Sequence, residues 1–97
     1  MKLVHSPRSL RDLEQIAAYL GERSIRGRKS VLGSIKSSIE TLLLFPKVGR
    51  VVSDRGHRMV LVVGYPYVIF YRIEGNDLYV LHVRHSAREP VDAETEL

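Results

Sequence analysis

Five residues in the C-terminal half are the candidates from which chemistry could be built: Arg58, Arg72, Arg84, Arg88 and His85. A guanidinium offers paired N–H donors to a phosphate or a carboxylate. An imidazole can hold or release a proton near neutral pH. If their strands pair in simple alternation, Arg58, Arg72 and Arg84 fall on one set. They are then expected to form a cationic site for phosphate or for a partner's carboxylates. The blander alternative is arginines that solvate strand ends. His85 has no carboxylate at catalytic spacing in the sequence, so a structural hydrogen-bonding role is favoured over a general base. His57 and His82 read as surface or strand-end residues. Tyr65, Tyr67 and Tyr71 could stack on bases, but packing around Pro66 is the preferred reading.

Several classes of chemistry are set aside. There is no cysteine, and His5, His57, His82 and His85 form no spaced zinc-like cluster, so neither a metal nor a cofactor is expected. The start, MKLVHSPRSL, lacks the apolar run of a signal peptide, and no stretch approaches a membrane span; a cytoplasmic protein without a membrane partner is expected. Charge is unevenly spread. The segment from Glu89 onward holds four acids and no base, so residues 1–88 carry all 15 Lys+Arg against seven acids. A body this basic favours polyanions or acidic protein partners.

The elements that must position these groups follow from periodicity. Residues 2–5 read as a short strand. Ser6 is placed to cap a helix and Pro7 suits its first turn; Leu10, Leu13, Ile16, Ala17 and Leu20 give its apolar face. A second helix is expected over 26–44, with Val31, Leu32, Ile35, Ile39, Leu42 and Leu43 as one stripe, stopped by Pro46. Residues 46–56 are turn-rich, with a possible short strand at 50–53. Strands follow at 57–63, 67–73 and 78–85, the last two joined by a turn at Glu74-Gly75-Asn76-Asp77. The expected fold is α+β, in the order β-α-α-β-β-β: an N-terminal strand, then a helical hairpin packed on a three- to four-stranded antiparallel sheet. A single domain over residues 1–90 and a short acidic tail over 91–97 complete the reading.

The long strands are apolar on both alternation sets, yet one helical hairpin can cover only one face. Val60, Val62, Val68, Phe70, Leu78 and Val80 are expected on the second face, where a wet sheet would be polar. An amphipathic segment of another chain is the natural cover.

The motifs carry a resemblance. Ser6-Pro7-Arg8 with Asp12-Leu13, Ile16 and Tyr19, then Phe45-Pro46-x-x-Gly49-Arg50, Gly56-His57-Arg58, Tyr65-Pro66-Tyr67-Val68-Ile69-Phe70-Tyr71-Arg72 and Val83-Arg84-His85-Ser86-Ala87-Arg88 occur in order and spacing. Over residues 1–90 the chain resembles the ParE/RelE superfamily of toxins from type II toxin–antitoxin systems, and more closely its ParE branch. The resemblance implies a cognate antitoxin as partner. It also implies one of two targets: DNA gyrase, poisoned by ParE-like members, or messenger RNA in the ribosome, cut by RelE-like members. RelE-like enzymes often place an arginine directly after a Gly-Tyr pair, with a tyrosine or histidine near the C-terminus. Here Gly64-Tyr65 is followed by Pro66, and no tyrosine lies beyond Tyr79. Gyrase inhibition without enzymatic chemistry is therefore the preferred expectation. An endoribonuclease using Arg58, Arg72 and His85, or a degenerate member that binds antitoxin without toxicity, are the alternatives. Target binding is expected at Arg58, Arg72, Arg84 and Arg88. Antitoxin binding is expected at Leu13, Ile16, Val60, Val62, Val68, Phe70 and Val80.

Overall fold

The computed structural model describes residues 1–86, and Arg88 and the acidic tail lie outside the described residues. The chain forms β1 (Lys2–His5), α1 (Pro7–Gly21), α2 (Ile25–Leu44), β2 (Arg50–Val51), β3 (Arg58–Leu61), β4 (Tyr67–Glu74) and β5 (Asp77–His85). Local chemistry accounts for the helix limits. The Ser6 hydroxyl accepts the Ser9 N–H at 3.0 Å and donates to the Leu81 carbonyl at 2.8 Å, so it caps α1 and fastens it to the sheet. Ser24 caps α2 by accepting the Gly27 N–H at 3.0 Å. α2 stops where Pro46 denies it a further amide donor.

The sheet has five strands in the order β1-β5-β4-β3-β2. It is mixed, not purely antiparallel: β1 runs parallel to β5, with Lys2 opposite Asp77 and His5 opposite Val80. The remaining pairs are antiparallel. Gly75, at φ 58°, occupies the first central position of the two-residue β4–β5 turn, a conformation that favours glycine. α2 lays Val31, Ile35, Ile39 and Leu42 on the sheet residues Tyr67, Ile69, Tyr71, Leu78, Val80 and Val83, and α1 adds Leu13, Ile16 and Leu20 at the margin. Each such side chain contributes about 1.5–3 kcal/mol by leaving water.

Register corrects the expected second apolar face. Val60 lies opposite Ile69 and Leu61 opposite Val68, which turns Val60 and Val62 toward the helices and leaves Leu61 on the other side. A register shift at Phe70/Tyr71 pairs Phe70 with His82 but Tyr71 with Val80, so Leu81 is the extra residue of β5. On either side of it the alternation of β5 changes phase. Leu78 and Val80 belong to the helix side, as does Val83, whereas His82 and Arg84 share the opposite face with Val68 and Phe70. Of the six residues expected on that face, only Val68 and Phe70 are there.

Candidate functional site

The same register separates the three arginines. Arg58 lies opposite Tyr71 on the helix side of the sheet. Its Nη1 donates to the carbonyls of Lys47 at 3.1 Å and Gly49 at 2.7 Å. Tyr71, fully buried, donates its hydroxyl to the Pro46 carbonyl at 2.7 Å and accepts the Gly49 N–H at 2.9 Å. Burial pushes the Tyr71 phenol up, against the smaller opposing pull of the Gly49 amide and the Arg58 charge. Gly49 allows this approach because a Cβ there would fall 2.5 Å from the Tyr71 hydroxyl oxygen. Arg58 is thus committed to holding the 46–50 loop, and the expected single face of Arg58, Arg72 and Arg84 does not form.

Arg72 and Arg84 stay together on the face turned away from α2. Arg72 lies opposite Tyr79, its guanidinium 4.8 Å from the ring centre and 3.0 Å from a Glu74 oxygen. Arg84 lies opposite Val68, four residues back along β4, which is about 13 Å of strand. Extending the β3–β4 register sets His57 across from Arg72. His57 is only 6% exposed, contrary to its expected surface position. Its pKa is lowered first by burial and then by the charges of Arg55 and Arg72. His82 is buried too, at 3% exposure, stacked on Phe70 at 5.9 Å. Tyr67 and Tyr71 pack in the core as preferred, and Tyr65 is at the surface.

His82 exposes a connection that sequence reasoning missed. Its Nδ1 lies 2.5 Å from Asp12 Oδ2, and the same oxygen accepts the Val83 N–H at 3.0 Å. Arg8 Nη2 stands 3.3 Å from His82 Nε2. With a proton on Nδ1 the ring donates to Asp12, and its Nε2 accepts from Arg8. β1 ends at His5, so the edge of β5 beyond it would lack a strand; the first turns of α1 supply the polar partners instead. The signal was present as Arg8 and Asp12 one helical turn apart, but nothing local pointed to a histidine 70 residues away.

Beyond this pin lies a cleft of about 430 Å³ lined by Asp12, Gln15, Tyr19, Tyr67, Arg84 and His85 among others. His85 stands opposite Tyr67, edge to face with ring centres 5.1 Å apart. The structure therefore brings His85 near a carboxylate and an arginine, but those are Asp12 and Arg84, not Arg58 or Arg72. Among the described residues no cluster of three or more His, Cys, Asp or Glu could hold a metal ion.

A second, larger depression of about 730 Å³ runs between α1, α2 and β1, lined by Leu3, Leu10, Leu13, Leu32, Ile39 and the charged Glu14, Lys36 and Glu40. Of the seven residues expected to bind an antitoxin, only Leu13 lines it. Ile16 borders the polar cleft, Val60, Val62 and Val80 pack on the helix side, and Val68 and Phe70 are buried on the other face. Leu10, half exposed in the groove, belonged to the α1 stripe but was not singled out. No helix among the described residues is long and apolar enough to cross a membrane.

This helical hairpin on a mixed five-stranded sheet is an architecture shared with two solved toxin structures. The fold matches a chain of the "Chromosomal ParDE TA system from P. aeruginosa" with a TM-score of 0.65 at 19% identity, over 88% of this chain and 95% of that one. It matches the isolated E. coli RelE toxin at 0.64 and 14% identity, over 97% and 93%. In sequence, the chain is 29% identical to "Toxin RelE2" of Caulobacter vibrioides over 90% of its own length and 97% of the relative's. It is likewise 29% identical to "Putative toxin Y4kP" of Sinorhizobium fredii, over 84% of each. Residues 3–90 match the family described as "ParE toxin of type II toxin-antitoxin system, parDE", and the chain belongs to that family.

Proposed function

We propose that this toxin inhibits DNA gyrase by binding it, without a chemical step, and that its antitoxin silences it by laying an amphipathic helix in the groove between α1 and α2. The observation that carries the reading is the dispersal of the groups that message cleavage would need. Arg58 holds loop carbonyls on the helix side, Arg72 lies on the opposite face, and His85 sits at the far end of β4 from Arg58. Cleavage of a phosphodiester needs cations and a proton-transfer group around one phosphate. Arg72 and Arg84, with Arg88 beyond the described residues, remain as the target-binding cations. The interhelical groove supplies the apolar surface for the antitoxin.

One observation favours a second reading. The polar cleft holds Arg84 and His85 close to Tyr19 and Asp12, a set that could serve ribosome-dependent cleavage of messenger RNA. Expression without antitoxin separates the readings. DNA breaks and filamentation, together with loss of supercoiling by purified gyrase, support the first. Rapid translation arrest with cleaved messages, abolished in His85→Ala, supports the second. Unimpaired growth with antitoxin binding retained marks a degenerate member and sinks both.

A further inference from the structure

The sheet edge farthest from β1 carries a feature that neither the groove nor the polar cleft explains. Among the described residues β2 pairs only with Arg58 and Met59 of β3. The Val62 N–H donates inward to Tyr67 at 2.9 Å, so by alternation Leu61 directs its own N–H and C=O outward, past the end of β2. Open edges are usually blunted by charge, proline or cover. Here the exposed side chains are apolar: Leu61 is 64% exposed, Val63 81% and Val48 61%. Between them and α2 lies a cleft of about 150 Å³, floored by Val60 and walled by the small side chains Ser38 and Thr41, which leaves room for one large apolar group.

We propose that this edge docks an extended, acid-flanked segment of the toxin's protein target, which adds as a short strand beside Leu61 and sets one apolar side chain in the cleft. The proposal rests on the reading above that the target is a protein held on the face of Arg72 and Arg84. Charge selects the occupant. Residues 41–53 contain Lys47 and Arg50 and no acid, so the rim attracts carboxylates. A second copy of the chain would set Lys47 and Arg50 against their own duplicates. The antitoxin helix is assigned elsewhere, because its groove lies on the opposite flank of α2, along Leu32, Lys36 and Ile39, and carries Glu14 and Glu40. Leu61, in contrast, stands in one cross-strand row with Val68 and Arg84, which makes the edge continuous with the cationic face assigned to the target.

The probes are two synthetic peptides with the same alternating Val-Thr centre, one flanked by glutamates and one by lysines, titrated into the toxin and into the co-purified toxin–antitoxin complex. The glutamate peptide should shift backbone amides at 60–63 in both samples, with affinity falling tenfold or more in Lys47→Glu/Arg50→Glu. Leu61→Pro removes the outward N–H and should abolish binding; Val63→Lys serves the same end if the proline variant does not fold. Both variants should lose toxicity and bind antitoxin unchanged. Equal binding of the lysine peptide, or shifts confined to the α1–α2 groove, overturns the proposal. So does burial of the Leu61 amide by the antitoxin, which names a different occupant, or a dimer abolished by Val63→Lys, which names a second copy. If Val63→Lys stays toxic while Arg84→Ala does not, the edge proposal fails and the reading of the cationic face stands.

Discussion

Two polar pins hold this molecule, one at each side of the sheet, and they differ in what their side chains have left to offer. At the loop pin, Arg58, Tyr71 and Gly49 exchange hydrogen bonds almost entirely with backbone. At the helix pin, Arg8, Asp12 and His82 bond mainly to one another, and Asp12 borders an open cleft. The first is a fastening whose charge is consumed by the fold. The second places charge at a surface where a ligand could compete for it. A cationic residue in the sequence is therefore no guide to a cationic site until its register is known.

The largest expected effect breaks the loop pin. Gly49→Ala forces a methyl against the Tyr71 ring, which is buried and has no room to retreat, so a loss of about 3 kcal/mol or outright failure to fold is expected by urea denaturation. Tyr71→Phe keeps the ring but strands the Gly49 N–H, for about 1–3 kcal/mol. A Gly49→Ala protein of unchanged stability would mean that the close approach is not a fixed part of the fold.

Next in size is a contrast between arginines. Arg58→Ala should cost about 1–3 kcal/mol, because two loop carbonyls lose a charged donor. Arg72→Ala removes an ion pair with Glu74 that is open to water and should cost under about 1 kcal/mol. Toxicity should follow the reverse order once folding is controlled by circular dichroism: Arg72→Ala and Arg84→Ala folded but weakened tens-fold or more, Arg58→Ala impaired in proportion to its stability. Folded Arg72 and Arg84 variants that stay fully toxic would move the target surface off this face.

The helix pin gives a middling effect. Asp12→Ala leaves the Val83 N–H and the His82 ring short of an acceptor, and about 2 kcal/mol is expected. Asp12→Asn, which keeps one acceptor oxygen, should recover part of it.

The smallest effect concerns pH. His5 and His57 both have lowered pKa values, through burial and, for His57, also through Arg55 and Arg72. The unfolded chain then takes up protons more readily than the folded one. Their contribution to stability is complete above the ordinary histidine value near 6.5 and is lost as pH falls below it toward the folded values. The melting temperature should drop from pH 7 to pH 5, and His57→Gln should shallow that drop.

Much of the scaffold was legible because it is local. Ser6 caps α1 where its spacing to the first apolar turn required, and Val31, Ile35, Ile39 and Leu42 are the buried stripe their periodicity describes. The site was less legible because it depends on phase. One extra residue, Leu81, moves Leu78 and Val80 to the helix side and leaves His82 and Arg84 opposite it, and no composition marks that position. The burial of His82 was hidden for a related reason, since Arg8 and Asp12 reach it from a helix 70 and more residues away. Edge strand β2 was expected over 50–53 and spans Arg50–Val51, and its start at Arg50 is what leaves Leu61 uncovered.

The parallel pairing of β1 with β5 has a consequence for the order of events in synthesis. Among the described residues β1 pairs with β5 alone, and the Ser6 hydroxyl reaches a carbonyl 75 residues onward. The first strand emerges from the ribosome with nothing to join, and α1 with it lacks the β5 segment that its cap and Asp12 engage. Contacts of such long separation slow folding, because a large loop must close before any of them forms. The sheet is therefore completed late, by its last strand, and until then neither the polar cleft nor the row from Leu61 to Arg84 exists. If the target surface is the one proposed above, a growing chain cannot yet present it, and the fold itself sets a delay between translation and the first capacity to act.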